Sequence, residues 1–384
     1  MPLESGFSGR VFLNGGRGRP FRKVLPAVRL KFDNMSLKTI KSSALCAFLC
    51  AGLVLVAGCS RNKKTSVEPQ PAPADLVEIL LNGGVVASAG VADTHTASLP
   101  PSTRAVVNQE HGALQVSFAR LDQLSGGSYP AYATLSSALS ATLAANTGNA
   151  SSPAVIAFAA KQYYQSRATD NNTKLVGWYP QAALASGIVS LQIDGENDIM
   201  LTQELEGNKE ASSRFGTNGK VFSFKHLLTQ VKVKAYAADA AAVTAWGQIA
   251  AGGILVKNQL PTCVITLPAD VAFSGTAADL ALPAKKASDD SAVSFPLTLP
   301  VGSTAAVDCG YAMIKPVAAG DSFKLKIVTQ TGGTYDDVAV VLPSGGFEAG
   351  KAYTVLLKFT ATEIQPTATI SAWEDASDKV EVVL

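Results

Sequence analysis

The residues able to do chemistry are few and scattered. Five cysteines stand at positions 46, 50, 59, 263 and 309, and three histidines at 95, 111 and 226. No spacing among His95, His111 and His226 supplies three metal ligands. His226 falls in a segment that reads as a core strand, where a hydrogen-bonded structural histidine is the plainer reading. No serine, histidine and carboxylate can be grouped into a nucleophilic set without assuming proximity. Asp194, Glu196 and Asp198 place oxygen ligands at alternate positions, as a calcium loop does. The alternative is a polar hairpin turn, because Gly195 and Asn197 lie within the run and no bidentate glutamate closes it. No metal, no cofactor and no enzymatic activity are expected.

One reactive group has a specific setting. From Met35, Lys38 and Lys41 precede an apolar run from Ala44 to Ala57, followed by Gly58 and Cys59. The run is about 14 residues long, short of the ~20 that cross a bilayer as a helix. Residues 35–58 therefore read as a signal peptide, and Val56, Ala57, Gly58 and Cys59 fit the lipobox of bacterial lipoproteins. That match implies cleavage before Cys59 and diacylation of its thiol, and multiple acyl chains anchor stably where one binds marginally. The expected location is the cell surface, on the outer membrane. Residues 1–34 are basic, without apolar periodicity, and stand in front of an export signal, so translation is expected to start at Met35. Residues 59–74, with three prolines, read as an extended tether.

Charge excludes one class of partner. Nine of the 32 Lys and Arg and two of the 30 Asp and Glu precede Cys59, which leaves 23 basic against 28 acidic residues beyond it. A nucleic-acid surface needs a clustered basic excess, and none remains. Hydrophobic residues make up 47% and charged ones 16%, in short alternating runs rich in Gly, Ala, Thr, Ser and Val. That is the composition of an exported β-protein.

The elements that must position any site read as strands between turn residues. Leu76–Leu81, Leu114–Phe118, Ala154–Ala159, Ile188–Ile193 and Val221–Phe224 are expected in the first part of the chain. Val231–Tyr236, Cys263–Leu267, Phe323–Thr329, Val338–Leu342, Tyr353–Phe359 and Thr367–Trp373 follow. Ala-rich stretches at 131–146 and 235–250 have room for a helical turn or two. Thr217, Asn218 and Gly219 interrupt the pattern, which places two β-sandwich domains at 75–220 and 221–384.

Several segments resemble the fimbrillin pilus subunits of Bacteroidetes. They are FSFKHLLTQVKVK (Phe222–Lys234), Gly350 to Tyr353 leading into TVLLKF, ATISAW ending at Trp373, LQVSFARLD (Leu114–Asp122), KLVGWYP (Lys174–Pro180) and IDGENDIM (Ile193–Met200). The resemblance implies two transthyretin-like sandwiches, exported as a lipoprotein and cut at the surface by an arginine-specific protease. The cut removes the first strand, and a strand from a neighbouring subunit refills its groove, so that other pilus subunits are the expected partners. Arg104, in LPPSTRAVV after the candidate first strand DLVEILLNGGVVAS, suits such a cut, with Arg120 next. Val380, Val382 and Leu384 alternate on one face of KVEVVL and suit a donor strand; the alternative is the last strand of the chain's own second domain.

Cys263 and Cys309 remain after export, and they read either as a disulfide or as two buried free thiols. Asp290, Ser291 and Ala292 match a short O-glycosylation motif of exported Bacteroidetes proteins, with Ser291 as acceptor. A different functional class also fits tandem sandwiches: a monomeric surface lipoprotein that binds glycans or another surface ligand, with Tyr163, Tyr164, Trp178 and Tyr179 as a stacking platform.

Overall fold

In the computed structural model of the chain the described residues are 76–86, 107–109, 111–146, 152–165 and 171–371. Nine strands come first: β1 (Leu81–Val85), β2 (Leu114–Asp122), β3 (Leu139–Leu143), β4 (Ala154–Phe158), β5 (Thr173–Tyr179), β6 (Ile188–Gln192), β7 (Met200–Leu201), β8 (Leu205–Gly207) and β9 (Phe222–His226). Eleven follow: β10 (Thr229–Ala237), β11 (Gln248–Gln259), β12 (Thr262–Thr266), β13 (Asp270–Ser274), β14 (Ala278–Ala281), β15 (Leu297–Thr298), β16 (Val307–Ile314), β17 (Phe323–Thr329), β18 (Gly333–Val340), β19 (Ala352–Phe359) and β20 (Ile364–Ser371). Among the described residues one α-helix, α1 (Ala240–Trp246), interrupts them. Asp239 caps it by accepting from the Ala242 N–H, in the second Ala-rich stretch. The architecture is all-β and sandwich-like.

The first eight-stranded sheet runs β2-β3-β4-β1-β9-β7-β5-β8, and β2 also pairs with β5 from Ser117↔Trp178 to Asp122↔Thr173. The sheet therefore closes on itself into a ring, with β8 attached to one side of β5. Leu81, Val85, Val116, Phe118, Ile156, Phe222 and Phe224 are buried in its core. Phe118 meets the edges of the Phe158 and Phe222 rings at centroid distances of 5.7 and 5.1 Å. Each such buried side chain contributes roughly 1.5–3 kcal/mol.

Two further sheets, β16-β10-β19-β20 and β14-β11-β17-β18 with β15 against β11, share a second core of Val231, Val233, Ile254, Val256, Leu325 and Val355. Strand alternation explains this pairing of faces, since β17 buries every second residue. A third core packs Trp178, Val189 and Leu191 against Ile265, Tyr311 and Met313, beneath the small sheet β13-β12-β6.

The expected division at 220/221 does not follow the strand pairing. Phe222–His226, expected to open the second part, pairs parallel with β1 and antiparallel with β7, because Phe222 and Phe224 point into the first core. β6 of the first part pairs with β12 of the second over five residue pairs.

The placement of β1 depends on one glycine. β1 lies antiparallel to β4 (Leu81↔Ile156, Gly83↔Ala154) and parallel to β9 (Gly83↔Phe222, Val85↔Phe224). A Cβ on Gly83 would stand 2.6 Å from Ile156 Cδ1 and 2.9 Å from the Phe222 carbonyl oxygen, whereas one on Gly84 meets nothing within 4 Å. Gly83→Val should therefore destabilise the protein by about 1–3 kcal/mol through overpacking. Gly84→Val should stay within about 0.5 kcal/mol of the parent. Chemical denaturation of the two variants checks this, and equal stabilities would contradict the close approach.

Candidate functional site

β1 completes the ring between β4 and β9. Its polypeptide runs extended from Val77 to Val86 with partners on both flanks. The Ile79 N–H donates to Gln162 O (2.8 Å), the Tyr164 N–H to Val77 O (2.9 Å) and the Val86 N–H to Phe224 O (2.9 Å), and Glu78 bridges to Tyr163. Ile79, Leu81 and Val85 are buried in the ring's core and Val77 packs against it. On the outer face Leu80 is 68% exposed and its neighbour Val155 on β4 is 60% exposed. A cleft of about 600 Å³ runs beside this half of the strand, bordered by Leu80, Asn82, Val155, Lys161 and Arg214.

The loop after β8 holds β1 from outside. The Phe215 N–H donates to Tyr164 Oη (2.8 Å), and the two rings stack at 5.8 Å with planes 13° apart. Phe215 also lies 5.8 Å from the Phe222 ring. Beyond it, a Cβ on Gly216 would lie 3.3 Å from the Leu80 carbonyl oxygen. Lys161 Nζ reaches Glu78 Oε2 at 2.9 Å across the cleft mouth, an exposed pair of small energetic weight.

Of the sites expected from sequence, Cys59, His95, Arg104, Val380, Val382 and Leu384 lie outside the described residues. Arg120 sits on β2 and is fully engaged. Its Nε bonds the Asp122 carboxylate (3.0 Å), Nη1 bonds Gln162 Oε1 (3.2 Å) and Nη2 bonds Tyr163 O (2.7 Å), so this arginine ties the segment paired with β1 to the ring.

The aromatic platform does not form. Tyr164, Trp178 and Tyr179 are buried in two different cores: β5 is buried on both faces and takes Trp178 and Tyr179 to opposite sides, and Tyr164 stacks on Phe215. The three carboxylates of the 194–198 run diverge. Asp194 accepts from the backbone N–H groups of Glu196 (2.9 Å) and Asn197 (2.8 Å), Glu196 pairs with Lys285 at 2.9 Å, and buried Asp198 holds His226 Nδ1 at 2.6 Å. Ser291 lies in a tight turn, its N–H donating to Asp289 Oδ1 (2.9 Å). The adjacent Asp290 accepts from Tyr311 Oη at 3.0 Å.

The model of the fimbrillin-like family matches residues 104–373. No curated protein matches the chain at a significant level. Among solved structures the chain is similar to a candidate cell adhesion protein of Bacteroides uniformis, at 14% identity and a TM-score of 0.50, covering 79% of this chain and 100% of that one. A fimbrial protein of Bacteroides vulgatus matches at 12% identity and a TM-score of 0.36 over 77% of this chain and 99% of that one. The tip fimbrial protein Mfa3 of Porphyromonas gingivalis, with a C-terminal truncation, matches at 11% identity and a TM-score of 0.36 over 78% of this chain and 100% of that one.

Cys263 and Cys309 are the two cysteines among the described residues. Cys263 and Cys309 are free and buried, and they belong to different cores. Burial pushes the Cys263 thiol up to about 11 and raises Cys309 further, so both stay protonated and poorly nucleophilic near neutrality. A protein carrying only these two cysteines should react slowly with an aromatic disulfide reagent at pH 8 while folded. It should release two equivalents at once in denaturant without reductant. Absence of thiols in the denatured, unreduced protein would mean that the pair is bonded.

Proposed function

The chain belongs to the fimbrillin-like family, and on that premise we propose that it is a structural or adhesive subunit of a surface pilus, assembled by strand exchange. Export as a lipoprotein anchored through Cys59 brings it to the outer membrane. Cleavage after Arg104 then frees it for assembly with other pilus subunits.

The observation that carries this reading is the position of β1. It is the one described strand that precedes Arg104, and it is an interior strand of a closed ring. A cut after Arg104 would sever β1 from every other described strand while leaving the rest of the ring continuous in sequence from Val107. Its departure would bare the edges of β4 and β9 together with the pockets of Ile79, Leu81 and Val85. An unpaired edge beside vacated apolar pockets is the acceptor that β-augmentation requires. Each refilled pocket contributes roughly 1.5–3 kcal/mol as an upper bound. The alternating Val380, Val382 and Leu384 of a neighbouring subunit supply the right chemistry to refill them.

Cys59→Ala should abolish fatty-acid labelling and release the protein from membranes; label retained on the variant would overturn the anchor. Arg104→Ala should leave folded monomers that keep β1, and deletion of residues 379–384 should permit cleavage yet block assembly. Heat-stable ladders on gels after protease treatment report the outcome. Normal ladders from both variants would rule out this route of assembly.

A further inference from the structure

The groove that β1 fills is asymmetric, and the asymmetry defines what can replace it. Five inward positions follow one another along the strand, at Val77, Ile79, Leu81, Gly83 and Val85. The fourth admits no side chain, since a Cβ there would stand 2.6 Å from Ile156 Cδ1 and 2.9 Å from the Phe222 carbonyl oxygen. That oxygen belongs to the β9 backbone, and the Phe222 ring is fully buried between Phe118 and Phe215. Neither can move aside cheaply. Among the described inward positions, three consecutive large side chains therefore have one place to go, at Val77, Ile79 and Leu81.

The sequence of the C-terminal segment matches residues 74–81, which lead into β1 and end on its first residue. Residues 74–81 read ADLVEILL and residues 377–384 read SDKVEVVL. Aligned without a gap, Asp378 falls on Asp75, Val380 on Val77, Glu381 on Glu78, Val382 on Ile79 and Leu384 on Leu81, and the span stays clear of Gly83. The identities include the outward Glu78, whose carboxylate meets Lys161 Nζ at 2.9 Å. Apolar alternation alone would not preserve that residue.

Resting on the strand-exchange reading above, we infer that residues 377–384 of one subunit are a copy of β1's leading half. They enter a neighbour's groove in the direction of β1, with Val380, Val382 and Leu384 in the pockets of Val77, Ile79 and Leu81, and with Glu381 against Lys161. The recognition element is the pattern Val-Glu-apolar-apolar-Leu. Gly83 bars every register displaced toward Val85.

Cysteine pairs read out the register without disturbing the core. Glu78 lies directly opposite Tyr163, so in the full chain Tyr163→Cys is combined in turn with Lys379→Cys, Glu381→Cys or Val383→Cys. Polymers are formed after protease treatment and oxidised. Cys263 and Cys309 are buried and do not compete. Covalent links between subunits should form with Glu381→Cys and be at least tenfold weaker with the other two. Links through Val383→Cys would mean a reversed strand or a register displaced away from Gly83, and links through Lys379→Cys a register displaced toward Val85; any of these overturns the inference while strand exchange stands. Polymers that form with no link from any pair would show that a different segment fills the groove. If the parent protein forms no polymer, strand exchange itself fails and the inference with it.

Discussion

The closure of the first sheet depends on a single short strand with a hydrogen-bonded neighbour on each side. A closed ring has no edge and so offers no template for pairing with another chain. Here closure runs through β1, bonded to β4 on one flank and to β9 on the other. Its loss would convert a ring without edges into an open sheet with two, and would uncover part of an aromatic core built on Phe118, Phe222 and Phe224. A strand in that position is either retained or replaced, because an open groove of this kind is an aggregation hazard.

The walls around β1 are held to the ring by contacts of their own. Arg120 fixes Gln162 and Tyr163, the residues that border β1's leading half, to the ring through strand β2. Phe215, on the Tyr164 hydroxyl and ring, keeps the outer loop in place. None of these bonds uses a side chain of β1. The walls are thus held by one another, which is what a site needs if its occupant changes while its shape is kept.

Strands with one buried face were legible in the sequence, as Phe323–Thr329 and Tyr353–Phe359 show. Two of those buried on both faces were not. β5 and β16 bury nearly every residue, so no alternation marks them. β11 carries Gly252 and Gly253 at a register shift between Ile249 and Ile254, and a bulge of that kind reads as a turn. β3 is hidden in an Ala-rich stretch. Strand pairing crosses the boundary placed before Phe222: Thr217, Asn218 and Gly219 lie in a tight turn closed by the Gly216 N–H on Lys220 O, and β9 then joins the first sheet. β1 was visible as part of an apolar run before Arg104, but its interior place in a ring, and the absence of room for a side chain at Gly83, depend on partners distant in sequence.

Two other sheet edges, those of β18 and β20, are defended. β18 ends one sheet of the second sandwich with exposed Asp336 and Asp337, paired to Lys326 at 2.8 Å and Lys324 at 3.4 Å. An incoming strand would have to desolvate these charges. β20 ends the facing sheet and carries Pro366, which donates no backbone hydrogen bond. Charge on one edge and proline on the other oppose adventitious pairing there. The leading half of β1's groove opposes nothing of the kind: its flanks are plain backbone and its pockets apolar, and its one exposed cation, Lys161, already pairs with a strand glutamate. On the strand-exchange reading, assembly specificity would follow from where pairing is left possible, rather than from an added binding surface.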